Sequence, residues 1–235
     1  MTTCLVVIVY SAYSLISQID HYHKSAKKYE AIQKIYDPFN KKEKKTSSKK
    51  TEDSLKALKR INKDCIGWIR IDDTKINYPV VKGDDNHFYL RHNFRKEPDF
   101  VGTIFMDNEN SANKLNQHTI LYGHNMKDKS MFGSLKDYQG QRYYQKHKFI
   151  RFNFQGRTYK WEIFSIYFAN NTKLLKTEFS NEQEFITYMN KEKHNSIFSI
   201  PVSVEQNDRV LTLSTCAAKD KGKRMIVHAK LLTGE

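Results

Sequence analysis

The sequence predicts a mainly β fold: a closed or nearly closed barrel of eight strands, with helices at the N-terminus and one more helix between the sixth and seventh strands. Two observations lead there. From Trp68 onward apolar residues recur in short runs of period two, with Gly, Asp and Asn in the gaps, whereas the chain before that point is helical in period or simply charged. At 235 residues the chain is long enough for one well-filled core and marginal for two. The expected organisation is therefore an apolar anchor or signal-like segment over 1–20, a helix and basic linker over 21–50, and one folded domain over 51–235.

Cys4 to Ile19 holds no charged residue, and with Met1 to Thr3 it approaches the ~20 apolar residues a spanning helix needs. No small-x-small cleavage site follows, so the segment is expected to be an uncleaved membrane anchor. Lys24, Lys27 and Lys28 come after it and no Lys or Arg before it, a charge pattern that would put the body of the chain in the cytoplasm. Tyr22, Ala26, Tyr29, Ile32 and Ile35 fall at roughly helical spacing, so the helix continues from His21 to Tyr36 until Pro38 stops it. Asn40 to Lys50 has no apolar residue to bury and reads as a linker or loop. Leu55, Leu58 and Ile61 predict a short docking helix over Glu52 to Asn62.

The expected strands are Trp68 to Ile71, Ile76 to Val81, Gly102 to Met106, His118 to Tyr122, Lys148 to Phe154, Arg157 to Ala169, Arg209 to Thr215 and Arg224 to Leu232. Asp72-Asp73 separates the first two, and Gln155-Gly156 is suited to turn a hairpin. Ser134 to His147 is a candidate helix. Asn181 to His194 is a better one, with Phe185, Tyr188 and Met189 on one face and Ser180 available as cap.

Forty Lys and Arg against 26 Asp and Glu give a formal charge of +14, which favours anionic surroundings without choosing among nucleic acid, acidic lipid and a polyanionic envelope. Residues 20–65 carry 14 basic and 7 acidic side chains, so about half of the excess precedes the expected domain. No aromatic residue is interleaved among the lysines of 40–50 to stack on bases, so no nucleic-acid partner is expected. Cys4, Cys65 and Cys216 are odd in number and widely spaced, which argues against a disulfide framework or a Cys/His metal cluster. No metal or cofactor is expected.

Chemistry is expected at the strand ends. Cys216 follows the alternating run RVLTLST, where a thiol is held by the sheet yet open to solvent, as a nucleophile requires. Cys65 sits in an apolar junction and Cys4 in the anchor, so both suit burial. A cysteine nucleophile needs an imidazole partner. His124 is the best placed, just past a strand end and next to Gly123, a glycine that lets the backbone turn; His228, alternating within the last strand, is the reserve. Arg224 opens the last strand across a short loop from Cys216, and its fork of donors suits an oxyanion, although Lys223 beside it shows how little sequence alone separates the two. A cysteine protease that releases product to water, or a noncatalytic envelope-binding module, would use the same composition.

Thr212-Leu213-Ser214-Thr215-Cys216, with Arg224 eight residues on in RMIVHAKL, resembles the active-site stretch of the sortases, and LYGHNM followed by MFGSL is similar to the histidine region of class B. INKDCIGWIRIDDTKINYPVV and GTIFMDNEN resemble the opening strands of that domain, so the likeness runs from about Leu55 to Leu232. The resemblance implies a sortase-type eight-stranded barrel and a cysteine transpeptidase, with Cys216 as nucleophile, His124 as general acid/base and Arg224 stabilising oxyanion or substrate. It implies cleavage of a C-terminal sorting motif of secreted proteins at its Thr, and joining of the Thr carbonyl to an amino group of peptidoglycan precursor. The helix over Asn181 to His194 matches the class B insertion that helps shape the substrate groove. A single-pass membrane protein with its catalytic domain outside the cell is also implied, against the flanking charges. The Cys216 to Arg224 loop is shorter than in some class B members.

Overall fold

The computed structural model describes residues 2–36, 48–170, 175–215 and 223–234. Two helices, α1 (Thr2–Ile35) and α2 (Ser48–Ile61), precede strands β1 (Cys65–Arg70), β2 (Asn77–Val81), β3 (Ile104–Met106) and β4 (His118–Gly123). A short helix α3 (Gln141–Lys146), strands β5 (Phe149–Phe154) and β6 (Arg157–Ala169), helix α4 (Glu182–His194) and strands β7 (Val210–Thr215) and β8 (Arg224–Gly234) complete the chain. The strands close into a barrel in the order β1-β2-β3-β4-β7-β8-β6-β5. The eight-stranded barrel and the helix between its sixth and seventh strands are as the sequence predicts.

Local chemistry accounts for the connections. Gln155 and Gly156 both adopt positive φ, 50° and 84°, the two-residue turn whose twist matches paired strands, and it joins β5 to β6. Gly102, at φ 65°, cannot continue a strand, so the run predicted from Gly102 begins only at Ile104. The helix predicted over Ser134 to His147 is divided by the extended backbone of Gly140 into a 3-10 turn, Gly133–Gln139, and α3. Asn181, rather than Ser180, caps α4: its side chain accepts from Glu184 N at 2.8 Å, while the Glu184 carboxylate accepts from Ser180 N at 2.7 Å.

The alternation of β7 fills two cores. Leu211 and Leu213 join Met225, Val227 and Ala229 in the barrel interior, while Val210, on the opposite face, packs with Phe164, Phe185 and Met189 beneath α4. All six residues of β7 are therefore buried. Each large apolar side chain so enclosed stabilises the fold by about 1.5–3 kcal/mol. β7 runs parallel to β4, and that orientation sends both C-termini to the same rim.

α1 is one continuous helix, Thr2–Ile35, so the apolar run continues without a break into the helix predicted from His21. Its second half docks on the barrel: Tyr29, Ile32 and Tyr36 are buried, and Tyr36 stacks on Trp68 at 4.3 Å between ring centroids. The basic linker predicted over 40–50 falls mostly on residues outside those described, and Ser48 already belongs to α2.

The expected transmembrane anchor is not supported. Among the described residues no helix is long and apolar enough to cross a membrane. The uncharged run Cys4 to Ile19 includes Tyr10, Ser11, Tyr13, Ser14, Ser17 and Gln18, and beyond it the same helix becomes charged. This overturns the expected membrane partner and single-pass topology, and leaves the expected extracellular placement of the domain without support.

Candidate active site

Three chain positions meet at one rim of the barrel. Gly123, the last residue of β4, pairs with Thr215, the last of β7. Thr215 Oγ1 in turn accepts from Met225 N, in the first turn of pairing of β8, at 2.9 Å. His124 follows Gly123, and Arg224 is the first residue of β8, opposite Ala169 of β6. Cys216 is bonded to Thr215 and lies outside the described residues.

His124 is half-buried, and one of its ring nitrogens is committed. Nε2 lies 2.6 Å from the carbonyl oxygen of Leu90, and because a carbonyl only accepts, Nε2 is the protonated, donating nitrogen. Nδ1 makes no hydrogen bond among the described residues. The imidazole is thus held by one edge, through Nε2.

Glycines make room for this ring. A Cβ on Gly102 would stand 3.0 Å from Leu90 O and 3.1 Å from His124 Cδ2. A Cβ on Gly123 would stand 2.4 Å from Ile104 Cδ1 and 2.8 Å from the Phe132 ring. Gly123 is required for close packing; its φ is not positive, so the turning freedom expected of it is not what the site uses. Beside His124 opens a groove of about 1090 Å³, lined by Leu90, Arg91, Pro98 and Phe100 on one side and by Lys24 and Lys27 of α1 on the other.

Arg224 is half-buried, and its Nε is enclosed without a hydrogen-bond partner among the described residues. A buried guanidinium N–H left unsatisfied is costly unless another group supplies the acceptor. Lys223 beside it is exposed.

His228, the reserve candidate, is in a different place. It is fully buried, with Nδ1 2.6 Å from Thr212 Oγ1 and Nε2 3.3 Å from Tyr167 Oη, within a polar network that also includes Glu192. His118 joins the same network: its Nε2 lies 2.6 Å from Thr212 Oγ1 and its Nδ1 2.5 Å from Lys176 O. These contacts tie β4, β7 and β8 together inside the molecule. Cys65 is buried as expected, and burial pushes its thiol up to about 12, which removes it as a nucleophile near neutral pH. Cys4 falls within α1. Sequence reasoning missed Leu90 and Gly102 as supports of His124, because nothing in the local pattern links residues so far apart along the chain.

A closed barrel carries an imidazole and a guanidinium at the rim where β4, β7 and β8 meet, beside a strand that runs into a cysteine, a set of groups suited to acyl transfer through a thiol. A family model described as the sortase domain matches residues 69–232. Sortase B of Staphylococcus aureus is 35% identical over 232 residues, covering 97% of this chain and 93% of the relative, and sortase B of Listeria monocytogenes is 39% identical over 184 residues, covering 77% and 75%. The crystal structure of sortase B from B. anthracis superposes with a TM-score of 0.82 at 35% identity, covering 92% of this chain and 99% of that one. The chain belongs to the sortase family, in its class B, and is a cysteine transpeptidase.

Proposed function

We propose that Cys216, His124 and Arg224 carry the transpeptidation, cleaving a sorting motif after its Thr and passing the Thr acyl group to an amino group of peptidoglycan precursor. The observation that supports this assignment is the register of the rim, which joins the end of β4, the end of β7 and the start of β8.

In this scheme the Cys216 thiolate attacks the carbonyl carbon of the motif's Thr, and the negative oxygen that develops is met by the Arg224 guanidinium. The C–N bond breaks and the imidazolium of His124 gives its Nδ1 proton to the departing amine, leaving a thioester on Cys216. The incoming amine then attacks the thioester carbonyl, neutral His124 takes up its proton, and the C–S bond breaks to restore the thiolate. Nε2 keeps its hydrogen throughout, held by Leu90 O. Because a thiolate and an imidazolium must coexist for acylation, the rate should rise and then fall with pH.

Incubation of the protein with a sorting peptide, with and without an added amine, tests the assignment by mass spectrometry of the products. The expected result is an amide-linked product in the presence of amine and none from Cys216→Ala. Undiminished cleavage by Cys216→Ala would remove Cys216 from the scheme. Exclusive release of the free acid at saturating amine would mean that the protein is a hydrolase.

A further inference from the structure

Three residues on one face of α1, spaced three and four apart, hold the segment that backs His124. Ser25 Oγ donates to the Asp99 carboxylate, with its oxygens at 2.9 and 2.8 Å. Lys28 pairs with Glu97 at 2.8 Å on the surface. Tyr29 is buried, and its hydroxyl donates to the Gly102 carbonyl at 2.5 Å while lying 3.0 Å from Thr103 Oγ1.

The segment is itself cross-tied. Asp99 N donates to Arg91 O at 2.8 Å, Gly102 N to Asp99 O at 3.2 Å and Thr103 N to Tyr89 O at 3.0 Å. Gly102, at φ 65°, is the point where this segment comes so near Leu90 O and the His124 ring that a Cβ there would crowd each of them. Leu90 O is the acceptor that fixes His124 Nε2. The Tyr29 hydroxyl is therefore bonded to the residue that stands close behind the Leu90 carbonyl and the His124 ring.

We propose that α1 is a working part of the active site, with Tyr29 as a positioning residue that holds Gly102 and Leu90 O where they set the tautomer and orientation of His124. This rests on His124 being the acid/base of the proposed function. Tyr29 touches neither substrate nor the reacting atoms; it acts through the segment it ties down. A buried phenol can do this because its ring packs edge-on to Tyr78, at 5.5 Å between centroids, while its hydroxyl spans the gap to the loop.

Tyr29→Phe removes the hydroxyl and keeps the ring. A displacement of about 1 Å at a catalytic group costs up to roughly a hundredfold in rate, so kcat for thioester formation is expected to fall at least about tenfold with KM for the sorting peptide within about twofold. The limb of the pH profile that reports the imidazole should move. In ¹⁵N-histidine NMR spectra the wild type should show His124 as the Nε2–H tautomer, and Tyr29→Phe a mixture. Gln33→Ala is the control: Gln33 lies on the same helix but bonds to Asn77 O, at 2.8 Å, away from the His124 segment, and this variant should match wild type in all three readouts. If Tyr29→Phe does not fold, Ser25→Ala, which releases Asp99, carries the same readouts. Wild-type kcat, pH limb and tautomer in Tyr29→Phe would overturn the proposal, and so would an equal loss in Gln33→Ala, since the helix would then matter only as packing. Absence of cleavage by the wild type with every sorting peptide would instead fail the proposed function, and the NMR readout would still decide whether Tyr29 sets the ring.

Discussion

Strand β4 begins and is followed by a histidine, and the two have opposite fates. His118, at its start, is fully buried with both ring nitrogens bonded, Nδ1 to Lys176 O and Nε2 to Thr212 Oγ1. His124, just past its end, has Nε2 bonded to Leu90 O and Nδ1 open among the described residues. Burial pushes His118 down to about 4, so it stays neutral and serves as a hydrogen-bonded tie between strands. Proximity to a strand end therefore does not distinguish the two histidines; what does is that one ring has both nitrogens bonded and the other only Nε2 among the described residues.

That contrast breaks most sharply under substitution. His124→Ala should lower kcat/KM for thioester formation by about a hundredfold or more, the usual scale for losing a positioned acid/base, with little change in unfolding. His228→Ala should do the reverse, destabilising the fold by about 2–4 kcal/mol through a cavity and the loss of its hydrogen bonds to Thr212 and Tyr167, while the folded fraction retains its rate. Steady-state cleavage beside denaturant unfolding separates the two, and interchanged outcomes would interchange the roles.

His118 gives a pH test of the buried side of the comparison. Its folded value near 4 lies below the ~6.5 of a free histidine, so between those limits the unfolded chain binds the extra proton. Its contribution is full above pH ~6.5 and is lost as pH falls toward 4, by on the order of 3 kcal/mol. Unfolding free energies measured at intervals across this window should show the decline, and His118→Gln, though less stable, should lose that share of the slope. An identical slope in the variant would mean that His118 is not the group responsible.

Gly123→Ala forces a Cβ against Ile104 and Phe132 and should cost about 1–3 kcal/mol, with a lower rate because His124 is the next residue. Asn181→Ala removes the cap of α4 and should cost about 1 kcal/mol with no change at the rim. Thermal unfolding and cleavage rates on the same samples check both.

The barrel was legible because period-two burial and turn chemistry are local signals: β5 and β6 follow from their alternation and from Gln155-Gly156. The positions of His124 and Arg224 were legible for a related reason, since each sits at a strand boundary that the pattern marks. What depended on distant segments was not legible. The reason Gly123 is glycine lies in Ile104 and Phe132, and the support of His124 lies in Leu90 and Gly102. His228 is a reserve candidate by sequence because alternation gives its face but not its burial beside α4. The N-terminal run is expected to be an anchor from its lack of charge, but among the described residues no helix is long and apolar enough to cross a membrane, and the second half of the same helix packs on the barrel.

In the proposed function the sulfur following β7 is the group that takes the acyl chain. Intact-mass measurement of the protein mixed with a sorting peptide, followed by peptide mapping, tests it directly. The expected result is a mass gain equal to the acyl fragment, mapped to Cys216, cleared by added amine and absent in Cys216→Ala. An adduct on Cys65 or Cys4, or product formation with no adduct even when deacylation is slowed, would contradict it.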